Sequence, residues 1–189
     1  MGGSRVCLGI DPGLARVGYG VVEQSGSRLR ALRYGCIETS SKLPFTQRLL
    51  QIYKELGEQI RPPEDDVAYP QGTMPEFMSV ERLFFGHNTT TAEYVWQARG
   101  VVMLLSAQHG LPVIEPKPNQ IKLALCGTGG ADKTQVQRMV QRFLDLDTVP
   151  KPDDTADALA AAITGLSLWG TQGVSGGPFP LNFNQGGLL

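Results

Sequence analysis

Val6-Cys7-Leu8-Gly9-Ile10-Asp11-Pro12-Gly13, running on through Leu14-Ala15-Arg16-Val17 into Gly18-Tyr19-Gly20-Val21-Val22, decides the fold. An apolar run ends on an acid, Pro-Gly interrupts it, and a second apolar run begins seven residues after the Asp. Pro12 has no N–H to give to a ladder and Gly13 tolerates a positive φ, so the chain is expected to turn there and leave Asp11 at a strand end. The pattern predicts a β-hairpin with a carboxylate at its mouth. Such an acid either caps the turn through its own backbone or holds a cation, and the rest of the chain has to decide between them.

Downstream, Leu29 to Ile37 with Thr39 offers a third strand. The period then changes: Leu49, Ile52, Tyr53, Leu56 and Ile60 share one side of a helix that starts near Pro44 and stops before Pro62-Pro63. Three strands followed by a helix suggest a mixed α/β sheet. Residues 62–75, with four prolines and the acids Glu64, Asp65 and Asp66, read as an exposed loop. Phe77-Met78-Ser79-Val80 is a short strand ending on a second acid, Glu81, after which the chain stays apolar as Leu83-Phe84-Phe85. A long, mostly buried helix is expected from Thr90 to about Gln108, ended by Gly110. Val113-Ile114 is a brief fifth strand, and the acid at its end, Glu115, ranks below the others because Pro116 and Pro118 follow.

Gln120 to Leu125 reads as one or two helical turns, and Gly127-Thr128-Gly129-Gly130 as a hinge or a backbone that could approach a phosphate. Lys133 opens a further helix. The last one starts in Lys151-Pro152-Asp153-Asp154-Thr155-Ala156-Asp157-Ala158, where Asp153 and Asp154 suit a helix N-terminus. Asp157 lies one turn further on the same face, and stacked carboxylates repel unless a cation sits between them. Residues 1–168 are expected to form one domain, and 169–189 a Gly-rich flexible tail.

The totals narrow the class. A chain of 189 residues, 41% apolar and 19% charged, suits one globular domain. A net charge of −1 gives no global basic field, so any nucleic-acid partner must be held by a local patch. Such a patch exists between Glu81 and Arg142, where Arg82, Arg99, Lys117, Lys122, Lys133, Arg138 and Arg142 face four acids for a net of +3, leaving −4 elsewhere. Cys7, Cys36 and Cys126 have neither disulfide-framework nor zinc-site spacing. No run approaches eighteen apolar residues, so neither secretion nor membrane insertion is expected and the cytoplasm is the default.

Taken together, GIDPG with GYGV, VERLFF with HNTTTA, QARGV, ADKTQVQ and DDTADALA closely resemble the RuvC family of Holliday junction resolvases, from about residue 5 to 168. The resemblance implies a ribonuclease-H-like α/β fold, a five-stranded mixed sheet flanked by helices, working as a homodimer. It also implies paired nicking of a four-way DNA junction in recombination, repair and the SOS response, beside a branch-migration complex, with Mg²⁺ or Mn²⁺ as cofactor. By motif, Asp11, Glu81, Asp154 and Asp157 match the family's catalytic, metal-binding acids, while Asp153 falls outside the register. Phe84 matches an aromatic that wedges into the junction, and Lys122 and Lys133 match basic residues near the cleaved strand. Arg82 and Arg138 join them as DNA-binding candidates from the local patch. The 62–74 segment is longer and more acidic than the family usually carries.

The acids themselves support that chemistry. Two carboxylates about 5 Å apart repel by roughly 3 kcal/mol at an effective dielectric of 20, so a cluster of four would scatter or protonate without cations. Two hard divalent ions about 4 Å apart need only oxygen ligands, and His87 and His109 are the chain's whole histidine complement. Three other classes compete: a junction-binding protein without cleavage, an ATP-using enzyme with a similar opening turn, and a nuclease of the same fold acting on RNA or hybrid duplex. The second would need two such lobes, and the chain has one copy of the turn.

Overall fold

The computed structural model describes residues 3–61, 74–83 and 89–169. In chain order the elements are β1 (Arg5–Asp11), β2 (Arg16–Ser25), β3 (Arg28–Glu38), α1 (Phe45–Ile60), β4 (Phe77–Val80), α2 (Thr89–Gln108), β5 (Val113–Ile114), α3 (Pro118–Cys126), α4 (Lys133–Phe143) and α5 (Asp153–Trp169). The expected hairpin, helices and strands all form. Most of the 62–74 loop, Phe84 with Phe85, and the tail from Gly170 lie outside the described residues.

The strands form one five-stranded mixed sheet in the order β3-β2-β1-β4-β5. β2 runs antiparallel to both β1 and β3, whereas β1, β4 and β5 are parallel to one another. The period of two along each strand sorts side chains into two layers. On β1, Val6, Leu8 and Ile10 join the core under α1 and α2, with Ile52, Leu56, Val102 and Leu105. Cys7 faces the other core, built with α3, α4 and α5 from Ile121, Val140, Leu159 and Ile163.

α5 lies unusually close to the sheet because the strand positions beneath it lack side chains. A Cβ on Gly9 would overlap the backbone of Ala158 and Ala162, and one on Gly18 would overlap the carbonyl of Asp154. The alanines at 156, 158 and 160–162 complete this small-residue contact and are all buried. At the far end of α5, Trp169 stacks on Phe77 at 4.0 Å between ring centroids.

Four expectations change. Trp169, expected as the first residue of the tail, instead ends α5 and is buried in the core. Gly13 does not take a positive φ; instead its missing Cβ leaves room for the Arg16 carbonyl, which the tight turn folds against it. α2 is one-sided rather than mostly buried, covering Ala98, Val102 and Leu105 but leaving Tyr94 and Leu104 exposed. Arg99, counted in the basic patch, is buried at 6% exposure.

Candidate active site

Strand parity delivers the first two acids to one place. Asp11 continues the set Cys7, Gly9 that faces α5, and Glu81 continues Phe77 and Ser79, whose hydroxyl donates to the Ala161 carbonyl on α5 at 2.6 Å. β1 and β4 pair in parallel with Ile10 opposite Val80, so the next residues in register are Asp11 and Glu81. Gly18, opposite Asp11 on β2, admits the Asp154 backbone directly above. Asp157 follows one helical turn later.

The electrostatics report the crowding. Asp11 is pushed from 3.8 up to about 7, first by burial and then by the negative charges of Asp157, Glu81 and Asp154, against the pull of Lys133. Burial followed by Asp157 raises Glu81, while Lys122 and Lys133 pull it down. Asp157 is raised by burial, with Lys133 opposing and Asp153 and Asp154 adding to the rise. The four acids chosen from the sequence therefore lie within one another's electrostatic reach, and Lys133 and Lys122 oppose part of the rise.

Asp153 behaves differently, as its register suggested. It is held down to about 2 by a hydrogen bond from Lys151, then by Gln137 and Lys133. Asp132 caps α4 by accepting from the Gln135 N–H at 2.8 Å, which sets Lys133 at the first helical position. From there Lys133 reaches Asp157 at 3.1 Å and Asp153 at 3.4 Å.

Among the described residues no three acid, His or Cys side chains converge into a ready-made metal shell. Two of the four carboxylates are engaged by cations of the chain: Asp157 by Lys133, and Asp154 by Arg16 at 3.2 Å. The donor set nonetheless suits a hard divalent ion, being made wholly of carboxylate oxygens. Asp154 Oδ2 is a buried acceptor with no hydrogen bond, since Arg16 meets it only as an ion pair.

The DNA-binding candidates divide. Lys122 and Lys133 both bear on the acids. Arg82 is exposed just beyond Glu81, its N–H bonded to the Pro116 carbonyl at 2.9 Å. Arg138 is exposed and, with Arg142 and Thr128, lines a separate cleft of about 520 Å³ between α3 and α4. Phe84 lies outside the described residues. Sequence reading gave no role to Arg16, or to the contact of Arg99 with Glu115.

The raised carboxyls have a measurable consequence. A group whose folded pKa lies above its unfolded one stabilises at low pH, and that stability is lost as pH rises between the two values. For Asp11 the window runs from 3.8 to about 7. With EDTA present, wild type should lose stability relative to Asp11→Asn across that window, by a few kcal/mol, as read by denaturant midpoints at stepped pH. A gap between the two proteins that stays constant with pH would contradict the raised Asp11 carboxyl.

The family model described as crossover junction endodeoxyribonuclease RuvC matches residues 7–165. Proteins of that description from Desulfitobacterium hafniense and Brevibacillus brevis are 51% and 50% identical to this chain, over 82% and 83% of it and 88% and 89% of their own lengths. A solved structure, T. thermophilus RuvC in complex with Holliday junction substrate, superposes with a TM-score of 0.76 at 31% identity, covering 88% of this chain and 96% of that one. On sequence and fold alike, this chain belongs to the RuvC family of crossover junction endodeoxyribonucleases.

Proposed function

We propose that the protein resolves four-way DNA junctions by metal-dependent hydrolysis of a phosphodiester in each of two paired strands, acting as a homodimer in recombination and repair. The observation that supports this reading most is that Asp11 and Glu81, at neighbouring strand ends, lie near enough to Asp154 and Asp157 of α5 for the other three acids to raise Asp11. Asp11, Glu81, Asp154 and Asp157 would hold two Mg²⁺ or Mn²⁺ ions. Bound there, such ions would supply a water of lowered pKa and neutralise charge at the phosphorus centre.

The chain's own groups do the rest. Asp11, which feels the charges of the other three acids, would be a ligand together with Glu81 from the strand side and Asp154 and Asp157 from the helix side. Lys133, already 3.1 Å from Asp157, and Lys122, whose charge acts on Glu81, would meet phosphates of the cleaved strand. Arg82, Arg138 and Phe84 would contact the arms and the crossover. A branch-migration complex and the cytoplasm are the setting this reading carries with it.

An end-labelled four-way junction and a linear duplex of the same sequence, each incubated with EDTA, Mg²⁺ or Mn²⁺, test it. Paired symmetric nicks in the junction alone, dependent on the metal, are the expected result. Junction binding without nicks in any metal would reject the nuclease, and equal cutting of the duplex would reject the substrate.

A further inference from the structure

The third strand-end acid, Glu115, does not join the other three elements' carboxylates. Parity again explains why: Val113 faces the α1/α2 core and Ile114 the α5 core, so Glu115 turns toward α2. There it meets Arg99, whose Nη2 donates to Glu115 Oε1. The same guanidinium donates from Nη1 to the main-chain carbonyl of Glu81 at 3.1 Å.

Glu81 needs such help because it lies past the last register pairs of its strand, Ile10 with Val80 and Ser79 with Ile114. The peptide unit joining Glu81 to Arg82 is held at both ends: its carbonyl by Arg99, and its N–H by the Pro116 carbonyl at 2.9 Å. A buried arginine costs desolvation that its partner only partly offsets, so apolar residues would fill this position at least as stably. What apolar residues could not do is grip that carbonyl.

We infer that Arg99, oriented by Glu115, is a positioning residue for the reaction: it fixes the main chain of Glu81 and thereby sets the Glu81 carboxylate against Asp11. The inference rests on the nuclease reading, in which Glu81 holds a metal ion. A displacement of about 1 Å at such a group costs roughly a hundredfold in rate. A planar guanidinium spans the two acceptors, whereas a lysine ammonium is one point of charge that serves one of them.

The decisive variant is Arg99→Met combined with Glu115→Leu, which removes the charge pair together and leaves no buried charge alone. It should melt at or above the wild-type temperature and bind the four-way junction within about twofold of wild type, yet cleave it roughly tenfold to a hundredfold more slowly at saturating DNA. Its affinity for Mn²⁺, read without DNA from the free-ion EPR signal, should fall several-fold. Arg99→Lys, which keeps a charge beside Glu115, should show the same loss of turnover and Mn²⁺ affinity, so the reading does not depend on one variant folding. Wild-type turnover and Mn²⁺ affinity in a folded variant would overturn the inference, as would weakened junction binding with turnover unchanged. Should wild type bind Mn²⁺ but leave the junction uncut, the nuclease reading fails, while the Mn²⁺ comparison still decides whether Arg99 positions Glu81.

Discussion

Asp11→Asn is expected to abolish junction cleavage while leaving the fold and junction binding intact. The side chain keeps its size, and Asp11 lies at the last β1 register pair, opposite Gly18, so the ladder behind it is untouched. What disappears is the charge that burial and three neighbouring acids already make hardest to keep. A carboxamide oxygen is a weak ligand for a hard divalent ion, and losing several kcal/mol of transition-state charge stabilisation lowers the rate by roughly a thousandfold or more. The same replacement relieves repulsion, so the variant should be more stable than wild type in EDTA at neutral pH. Mg²⁺ should stabilise wild type more than the variant, because the ion offsets a charge only wild type carries. Gel assays of cleavage and binding, with melting curves in EDTA and Mg²⁺, check all three. Cleavage retained within tenfold would remove Asp11 from the metal site.

Much of this was legible in residues 6–22 and 77–81, because a strand announces its two faces by alternation and its end by the break in that alternation. Asp11 and Glu81 could be placed at strand ends from those runs, and Asp154 and Asp157 on one helix face from their spacing. The same alternation carried one step beyond Ile114 points Glu115 away from the cluster, toward Arg99. That step needs the register of β5 against β4, which a two-residue strand does not reveal.

Charge counts proved less informative than charge positions. Arg99 is buried against the half-buried Glu115, so its charge adds nothing to a DNA-facing patch. Arg16 and Lys133 are spent partly on Asp154 and Asp157. Which cations meet DNA and which meet acids depends on depth and direction, and a linear sequence shows neither for an isolated Lys or Arg.

Gly18→Ala should do more damage than its single methyl suggests. The added Cβ would overlap the Asp154 carbonyl oxygen and carbon, both backbone atoms with no rotamer to move them aside. α5 must therefore lift from the sheet at the turn that carries Asp154 and Asp157. Overpacking of this kind costs roughly 1–3 kcal/mol, and a shift of about 1 Å in two of four acids costs about a hundredfold in turnover. Gly57→Ala is the contrast: on α1 its Cβ would meet only a Leu105 side-chain carbon at an ordinary 3.7 Å. That change should stabilise the helix by up to about 1 kcal/mol and leave cleavage as it was. Since both substitutions are Gly to Ala, the opposite signs isolate the closeness of α5 to the hairpin as the feature that assembles the site. A Gly18→Ala protein with wild-type stability and turnover would show that the acids can gather without that contact.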